Sequence, residues 1–121
     1  MLTALRAVPG LDVDATLAST GISVRFYAGL LRKFVVQQAG ALDKVQQALQ
    51  AADIVTAVRL VHTLKGVAAG LGARGLEAAA GDLERCLKSE ALSEHVDDAA
   101  RHARQLLDAL VGALEAALAP A

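Results

Sequence analysis

The stretch of sequence that decides the fold covers residues 53–72 and reads DIVTAVRLVHTLKGVAAGLG. Its apolar residues recur at intervals of three and four positions, which is the period of an amphipathic α-helix. They are Ile54, Ala57, Val58, Val61, Leu64, Ala68 and Leu71. Aspartate caps a helix because its carboxylate accepts hydrogen bonds from free backbone amides, and glycine readily adopts the left-handed conformation that follows a helix. The sequence therefore predicts a helix over residues 53–71, capped by Asp53 and ended by Gly72.

Apolar periodicity predicts further helices on both sides of this segment. Together, the predicted helices cover residues 12–20, 23–51, 53–71, 74–89 and 93–118. Ser23 and Ser93 are suitable N-caps, and Gly40 is expected to bend or loosen the long segment that contains it. Because short connections make neighbouring helices antiparallel, we predict an all-α, up-down-up-down four-helix bundle in one domain over residues 1–121. The segment 12–20 would be a short N-terminal lead-in helix.

The composition favours the same fold class. The chain contains 27 alanines and 20 leucines, but only three aromatic residues and no tryptophan. Alanine and leucine head the helix scale, whereas strands favour β-branched and aromatic residues, so a β-sandwich or a barrel is disfavoured. Helices rich in alanine have to pack closely to fill a core, and four helices side by side do so economically.

Charge and hydropathy indicate a cytoplasmic domain without nucleic-acid or membrane contact. The net charge of −1 gives no electrostatic attraction to nucleic acid or to an anionic membrane. No run of about 18 apolar residues is free of charge. The first residues, MLTALRAVPGLDVD, lack the cationic segment and long apolar core of a signal peptide. The single cysteine, Cys86, can form no internal disulfide, which fits a reducing compartment, and it is expected to be a small core residue.

Few residues are suited to carry chemistry. The sequence has no glycine-rich phosphate loop, no cysteine cluster and no G-x-S-x-G, so nucleotide hydrolysis, thiolate zinc binding and acyl transfer lack their parts. Three histidines remain. His95 and His102 are seven residues apart on one face of the last predicted helix, where solvated polar residues are the expected interpretation. A metal site that joined them would need ligands from another helix.

His62 differs from the other histidines because it lies about 120° from the apolar stripe of its helix and therefore faces outward. An exposed imidazole near neutral pH has a free ring nitrogen and is an available nucleophile. Lys65, one turn further on, can neutralise an incoming phosphoryl group, and Gly66 leaves room for that group and for a partner's backbone. On spacing alone, an ordinary surface histidine beside ordinary charged residues is the more frequent explanation.

Residues 61–73, VHTLKGVAAGLGA, resemble the signature of histidine-containing phosphotransfer (HPt) domains, which is H-x-L-K-G followed by small residues and an L-G pair. The resemblance covers about residues 9–87. Further matches are the D-x-x-x-A of Asp53 and Ala57, the Y-x-x-L-L-x-x-F of Tyr27, Leu30, Leu31 and Phe34, and the L and L-E of Leu76, Leu83 and Glu84. Motif, spacing and the independently predicted fold agree with one another.

The resemblance implies a phosphoryl shuttle in two-component signalling. In HPt domains, a histidine accepts a phosphoryl group from the aspartyl phosphate of a receiver domain and passes it to the aspartate of another. By position, His62 would be the phosphoacceptor, Lys65 the cation that stabilises the phosphoryl group, and Gly66 the residue that keeps access open. Because Arg59 shares a face with His62, it is a candidate for attracting the acidic pocket of the receiver, and Ala69 is a further candidate for partner contact.

The resemblance also implies which partners and cofactors to expect. The partners would be response-regulator receiver domains and a hybrid sensor kinase. Mg²⁺ would come from the receiver domain, so no cofactor or metal is expected on this chain. Because four antiparallel helices already close a core, we expect a monomer.

Two alternatives stay open beside a free-standing phosphotransfer protein. Residues 8–12, VPGLD, resemble the junction at which C-terminal phosphotransfer domains of hybrid sensor histidine kinases begin, so one alternative is such a domain. An ATP-binding segment does not fit in 121 residues, and we therefore expect no kinase activity of the chain itself. The other alternative is a bundle that has kept the fold but serves as a non-phosphorylated adaptor.

Overall fold

The computed structural model of the chain describes residues 1–89 and 93–120, so residues 90–92 and 121 of the predicted domain lie outside the described residues. Within the described part, the chain forms helices and one isolated bridge, between Leu11 and Ala73. The helices are α1 (Leu2–Arg6), α2 (Val13–Thr20), α3 (Val24–Gln38), α4 (Ala41–Gln50), α5 (Ile54–Leu71), α6 (Arg74–Lys88) and α7 (Ser93–Leu118). The predicted all-α class is confirmed.

Side-chain caps begin three of these helices. Asp12, Ser23 and Asp53 accept hydrogen bonds from the backbone amides three residues further on, at 3.2, 3.1 and 3.2 Å. Each bond satisfies an amide that has no partner inside its own helix. These contacts confirm the N-caps predicted at Ser23 and Asp53. Gly72 follows α5 with a left-handed backbone (φ 81°), which confirms the predicted end of that helix.

The predicted segment 23–51 forms two helices, α3 and α4, separated by Ala39 and Gly40. Gly40 has φ −95° and ψ 9°, which lies outside the helical region. Glycine weakens a helix because it loses the most conformational freedom when the chain becomes ordered. The break allows α4 to pack along α5, whereas α3 contacts both α7 and α5. The sequence therefore indicates where the helix is weakened, but the prediction of one continuous helix over residues 23–51 is wrong.

The helix α1 has no counterpart in the sequence prediction. Its five residues are too few for a helical period to be recognised. In the structure, α1 packs against α7 and fully buries Leu5, while Arg6 pairs with Asp14 of α2 at 2.8 Å. Packing against distant parts of the chain, rather than local sequence, accounts for this helix.

The helix α5 lies between α4 and α6, and α6 in turn contacts α7. Because only Gly72 and Ala73 connect α5 to α6, these two helices run antiparallel. The buried apolar residues of all the helices form one cluster. The alanines of this cluster that are completely buried include Ala57, Ala68, Ala80 and Ala103. Small side chains at the centre allow the helices to approach closely and keep the core dense.

Most of the inward positions predicted for α5 are buried. The buried residues are Ala57, Val61, Leu64, Ala68 and Leu71. Val58 is half-buried, and Ile54 is 46% exposed although it belongs to the apolar stripe of the helix. Ile54 is the first residue of α5 and lies before the packed part of the helix, which begins at Ala57. It lines a surface groove together with Leu49 and Leu87.

The residues before α2 hold the C-terminal end of α5. The backbone amide of Asp12 donates to the carbonyl of Gly72 at 2.8 Å, and the amide of Arg74 donates to the carbonyl of Gly10 at 2.9 Å. These bonds satisfy backbone groups at a helix end that have no partner within the helix. The N-terminal segment is thereby joined to the helix that carries His62.

Two side chains complete this junction. The hydroxyl of Tyr27, which is fully buried in α3, donates to the carbonyl of Leu71 at 2.7 Å. Burial raises the pKa of Tyr27 to about 12, because the charged phenolate is disfavoured away from water. A Cβ atom at Gly72 would overlap the hydroxyl of Thr16 and lie 2.8 Å from the carbonyl oxygen of Asp12. Only glycine fits this position.

By length and composition alone, one helix of the described residues, α5, is apolar enough to cross a membrane. It also carries Arg59, His62 and Lys65, and its apolar face packs against α4 and α6. The core helix of a helical domain has the same length and composition. In this fold α5 is a core helix with one polar, exposed face.

Candidate functional site

His62 lies in the middle of α5, and 66% of its side chain is exposed, as the helical geometry predicts. Its Nδ1 atom is 2.7 Å from Oε2 of Glu84, which belongs to α6. The imidazole is therefore held by a carboxylate on one side of the ring and open to solvent on the other.

Glu84 is the buried centre of the site, with only 5% of its side chain exposed. Its Oε1 accepts a hydrogen bond from Nζ of Lys65 at 2.6 Å, and Nζ of Lys88 lies 3.3 Å from its Oε2. These donors favour the ionised form and lower the pKa of Glu84 from 4.5 to about 2, with the bond from Lys65 as the largest cause. Burial opposes this shift, because it disfavours a charge, but the donors outweigh it.

The ionised carboxylate determines which nitrogen of the neutral His62 ring carries the proton. A carboxylate can only accept hydrogen bonds, so the contact with Oε2 places the proton of the neutral ring on Nδ1. The free lone pair is then on Nε2, on the part of the ring directed away from Glu84. A second group that fixes the tautomer and orientation of an imidazole in this way prepares it for reaction at the other nitrogen.

The site carries an excess of positive charge. Lys65 and Lys88 share the single negative charge of Glu84, which leaves one net positive charge while His62 is neutral. Arg59 adds an exposed cation on α5. Positive charge around a nucleophile raises the local concentration of an anionic reactant.

Of the residues predicted for the site, the structure brings His62 and Lys65 together through Glu84. Gly66 and Arg59 are exposed on the same helix, and Ala69 is half-buried. A Cβ atom at Gly66 would have no heavy atom within 4 Å, so the chain itself does not require glycine there. The missing side chain therefore leaves space at the surface that another molecule bound to this face of α5 would fill.

Sequence reasoning did not assign roles to Glu84 and Lys88. The L-E match of Leu83 and Glu84 implies no role for the glutamate, although one signal is present in the sequence. Glu84 follows Leu83 and lies four residues after Ala80, and both of these residues are fully buried in α6. A glutamate at the edge of an apolar stripe needs partners, because an unpaired buried charge is costly. Lys88, four residues after Glu84, stands at the spacing of a helical ion pair. The pairing with α5 depends on how the helices pack and could not be predicted from one sequence.

The remaining histidines and the cysteine lie elsewhere. His95 and His102 are exposed on α7. In residues 1–89 and 93–120, no group of three or more histidine, cysteine and acidic side chains is placed to hold a metal ion. Cys86 is half-buried in α6, so the expectation that it belongs to the core is wrong. It borders the same groove as Ile54.

Comparison with known proteins gives one match. The family model described as Hpt domain matches residues 29–117, which extend from α3 to the last turn of α7 and include His62, Lys65, Glu84 and Lys88. No curated protein and no solved structure compared with the chain matches it.

The match covers most of the chain and includes the whole site. Hpt domains are phosphotransfer modules, not kinases, and they exchange phosphoryl groups with receiver domains of response regulators and kinases. They are typically soluble and take part in two-component phosphorelays. The chain belongs to the Hpt domain family.

Proposed function

We propose that this chain is a phosphorelay intermediate in which His62 accepts a phosphoryl group from a receiver-domain aspartyl phosphate and passes it to another receiver aspartate. The observation that carries the proposal is the contact between Nδ1 of His62 and the ionised Glu84, with most of the imidazole exposed. In the neutral ring this contact places the proton on Nδ1, so Nε2 carries the accessible lone pair that a nucleophile toward phosphorus requires.

The chemistry needs no proton transfer on this chain. The lone pair of Nε2 forms a bond to phosphorus while the bond between phosphorus and the aspartate oxygen breaks, and the aspartate leaves as a carboxylate. Nδ1 keeps its proton, so the phosphorylated ring becomes cationic, and Glu84 balances that charge. In the return step the ring leaves as neutral imidazole, which is a far better leaving group than its anion. Positioning and charge neutralisation supply most of the catalysis in phosphoryl transfer.

The other site residues support the same reaction. Lys65 supplies positive charge beside the ring, and Gly66 leaves space for the phosphoryl group and the receiver backbone. Arg59 and Ala69 lie on the same helix, within the surface that a receiver would cover. In this proposal the receiver provides Mg²⁺ and the acidic pocket, and the chain uses no cofactor of its own.

The proposal includes the arrangement of the molecule. The segment α3–α4 and the helices α5, α6 and α7 would form an up-down-up-down four-helix bundle, with α2 as the lead-in helix. Support comes from the two-residue connection between α5 and α6 and from the contacts of α6 with α7 and of α3 with α7. We propose a cytoplasmic monomer whose partners are response-regulator receiver domains and a hybrid sensor kinase.

The test is phosphate uptake from a receiver domain charged with radiolabelled phosphate in the presence of Mg²⁺. Wild-type chain and the control His102→Gln should gain label that is lost in acid and retained in base, whereas His62→Gln should gain none. His102 is a suitable control because it is also an exposed histidine on a helix. Equal labelling of His62→Gln would refute the assignment.

Of the two alternatives, the adaptor predicts a different result in the same experiment. A non-phosphorylated adaptor would bind the receiver equally well with and without His62, and no label would move. A phosphotransfer domain of a hybrid sensor kinase would transfer phosphate in the same way, and a receiver domain encoded in frame before Met1 would identify it. We expect no labelling of the chain from ATP alone, and such labelling would contradict the proposal.

A further inference from the structure

We propose that Lys88 binds the phosphoryl group directly, by releasing Glu84 once His62 carries that group. This inference rests on the proposed function. In the same step Lys65 stays on Glu84, as a positioning residue that keeps the carboxylate in contact with the imidazole. The ammonium of Lys88 exchanges one oxygen acceptor for another and keeps all its protons, so no further reactant is needed.

The first argument is the difference between the two lysine contacts. Nζ of Lys65 is 2.6 Å from Oε1 of Glu84, and 35% of its side chain is exposed. Its stem runs over Gly81 of α6, where Cδ lies 3.6 Å from the position of a Cβ atom. A short charged hydrogen bond on a packed stem is strong and well oriented. Lys65 is therefore the lysine that Glu84 retains.

Lys88 is held much more loosely. Its Nζ is 3.3 Å from Oε2, and 59% of its side chain is exposed. It is the last residue of α6, so its stem has no following helical turn of α6 beside it. An exposed ion pair of this kind contributes little to stability, and breaking it costs correspondingly little.

Lys88 also lies close to the ring of His62. Its Nζ is 3.3 Å from Oε2, the same oxygen that lies 2.7 Å from Nδ1 of His62. The distance between Nζ and Nδ1 therefore cannot exceed the sum of these two distances. The long, flexible lysine stem can turn from the carboxylate toward a group attached to the ring.

The charges favour the exchange. Before phosphorylation, Glu84 has two lysines for one negative charge. After it, the phosphoryl group adds up to two negative charges, and the phosphorylated ring adds one positive charge beside Glu84. Lys65 and the ring then satisfy the carboxylate, and Lys88 gains a more highly charged partner. Cations bind phosphoryl oxygens through strong, charge-assisted hydrogen bonds.

The experiment compares Lys88→Met, Lys88→Arg and Lys65→Met with Lys44→Met, which removes an exposed lysine on α4. Each full-length variant is phosphorylated on histidine with phosphoramidate, and the phosphoryl group is titrated by ³¹P NMR. A bound cation favours the more highly charged phosphoryl form. We expect Lys88→Met to lower the acid dissociation constant of the phosphoryl group by about threefold. Lys88→Arg and Lys44→Met should match the wild-type chain.

A second titration separates phosphate binding from an effect through Glu84. The Glu84 carboxyl is followed by ¹³C NMR in the unphosphorylated variants. Lys65→Met should raise its titration midpoint most, whereas Lys88→Met should change it little. An unchanged ³¹P titration in Lys88→Met would overturn the proposal, as would a Glu84 shift as large as that of Lys65→Met.

Phosphoramidate needs no receiver, so the test of Lys88 is independent of the partner. If the wild-type chain is loaded by phosphoramidate but takes no phosphate from a receiver, the proposed function fails while the result for Lys88 still stands. If receivers load the chain and Lys88→Met behaves like Lys44→Met, only the inference about Lys88 fails.

Discussion

At the scale of single residues, the site depends on a carboxylate that is buried and nevertheless ionised. Glu84 is tolerated inside the structure because His62, Lys65 and Lys88 supply donors to both of its oxygens. Removing Lys65, the partner with the shortest contact, would cost more than that contact contributes by itself, because the buried charge would lose much of its compensation. The same contacts orient the imidazole, so stability and reactivity depend on one side chain.

This arrangement predicts how stability changes with pH. The pKa of Glu84 is about 2 in the folded chain, against an ordinary value of 4.5. The carboxylate therefore stabilises the fold above pH 4.5, and its contribution disappears as the pH falls toward 2. Glu84→Gln should unfold more easily than the wild-type chain at pH 7, by about 1 to 2 kcal/mol.

Urea unfolding followed by circular dichroism at several pH values checks this prediction. The difference between Glu84→Gln and the wild-type chain should shrink as the pH is lowered through this range. A difference that stays constant from pH 7 to pH 3 would show that the ionised carboxylate contributes nothing to stability.

At the scale of elements, the ends of α5 explain why His62 is held in place. Asp53 caps the first turn, and the segment before α2 binds the last turn through Gly72. With both ends fixed and one face packed between α4 and α6, the exposed face of α5 is a rigid platform. Gly72 is the critical position, because its backbone is left-handed and a Cβ atom would overlap Thr16.

A pair of glycine substitutions tests this explanation. Gly72→Ala should destabilise the chain by about 2 kcal/mol or more, from backbone strain and overlap together. Gly112→Ala, in α7, should stabilise it by about 0.5 kcal/mol, because alanine favours a helix and a Cβ atom there has no neighbour within 4 Å. Thermal unfolding of both variants provides the measurement, and equal melting temperatures would contradict the role of Gly72.

Local sequence signals account for most of the elements. The caps at Ser23 and Asp53 and the end of α5 at Gly72 follow from residues next to one another in the chain. The break at Gly40, the helix α1 and the exposure of Ile54 depend on which helices pack together. Local sequence likewise predicts only part of the site. The exposure of His62 follows from helical geometry, whereas the role of Glu84 emerges only when α6 is placed beside α5.

At the scale of the whole molecule, one hydrophobic cluster extends from α1 to α7. The buried Tyr27 connects α3 to the end of α5, so the site helix is part of the same packed unit. A domain of this size with a single core is expected to unfold in one cooperative step.

Cooperativity can be tested with natural probes. Tyr27 is the only tyrosine, and the chain has no tryptophan, so tyrosine fluorescence reports on the junction of α3 and α5 alone. Circular dichroism reports on all the helices. The two urea transitions should coincide, with the same midpoint and slope. An earlier fluorescence transition would mean that this junction opens before the bundle unfolds.

The most direct test of the central claim is the position of the phosphoryl group. The chain is phosphorylated by a charged receiver domain, digested under mildly alkaline conditions and mapped by tandem mass spectrometry. A second sample is mixed with fresh receiver and Mg²⁺. We predict a single phosphoryl group on His62 that disappears as the fresh receiver becomes phosphorylated. A phosphoryl group on His95 or His102, or one that stays on His62, would contradict the account.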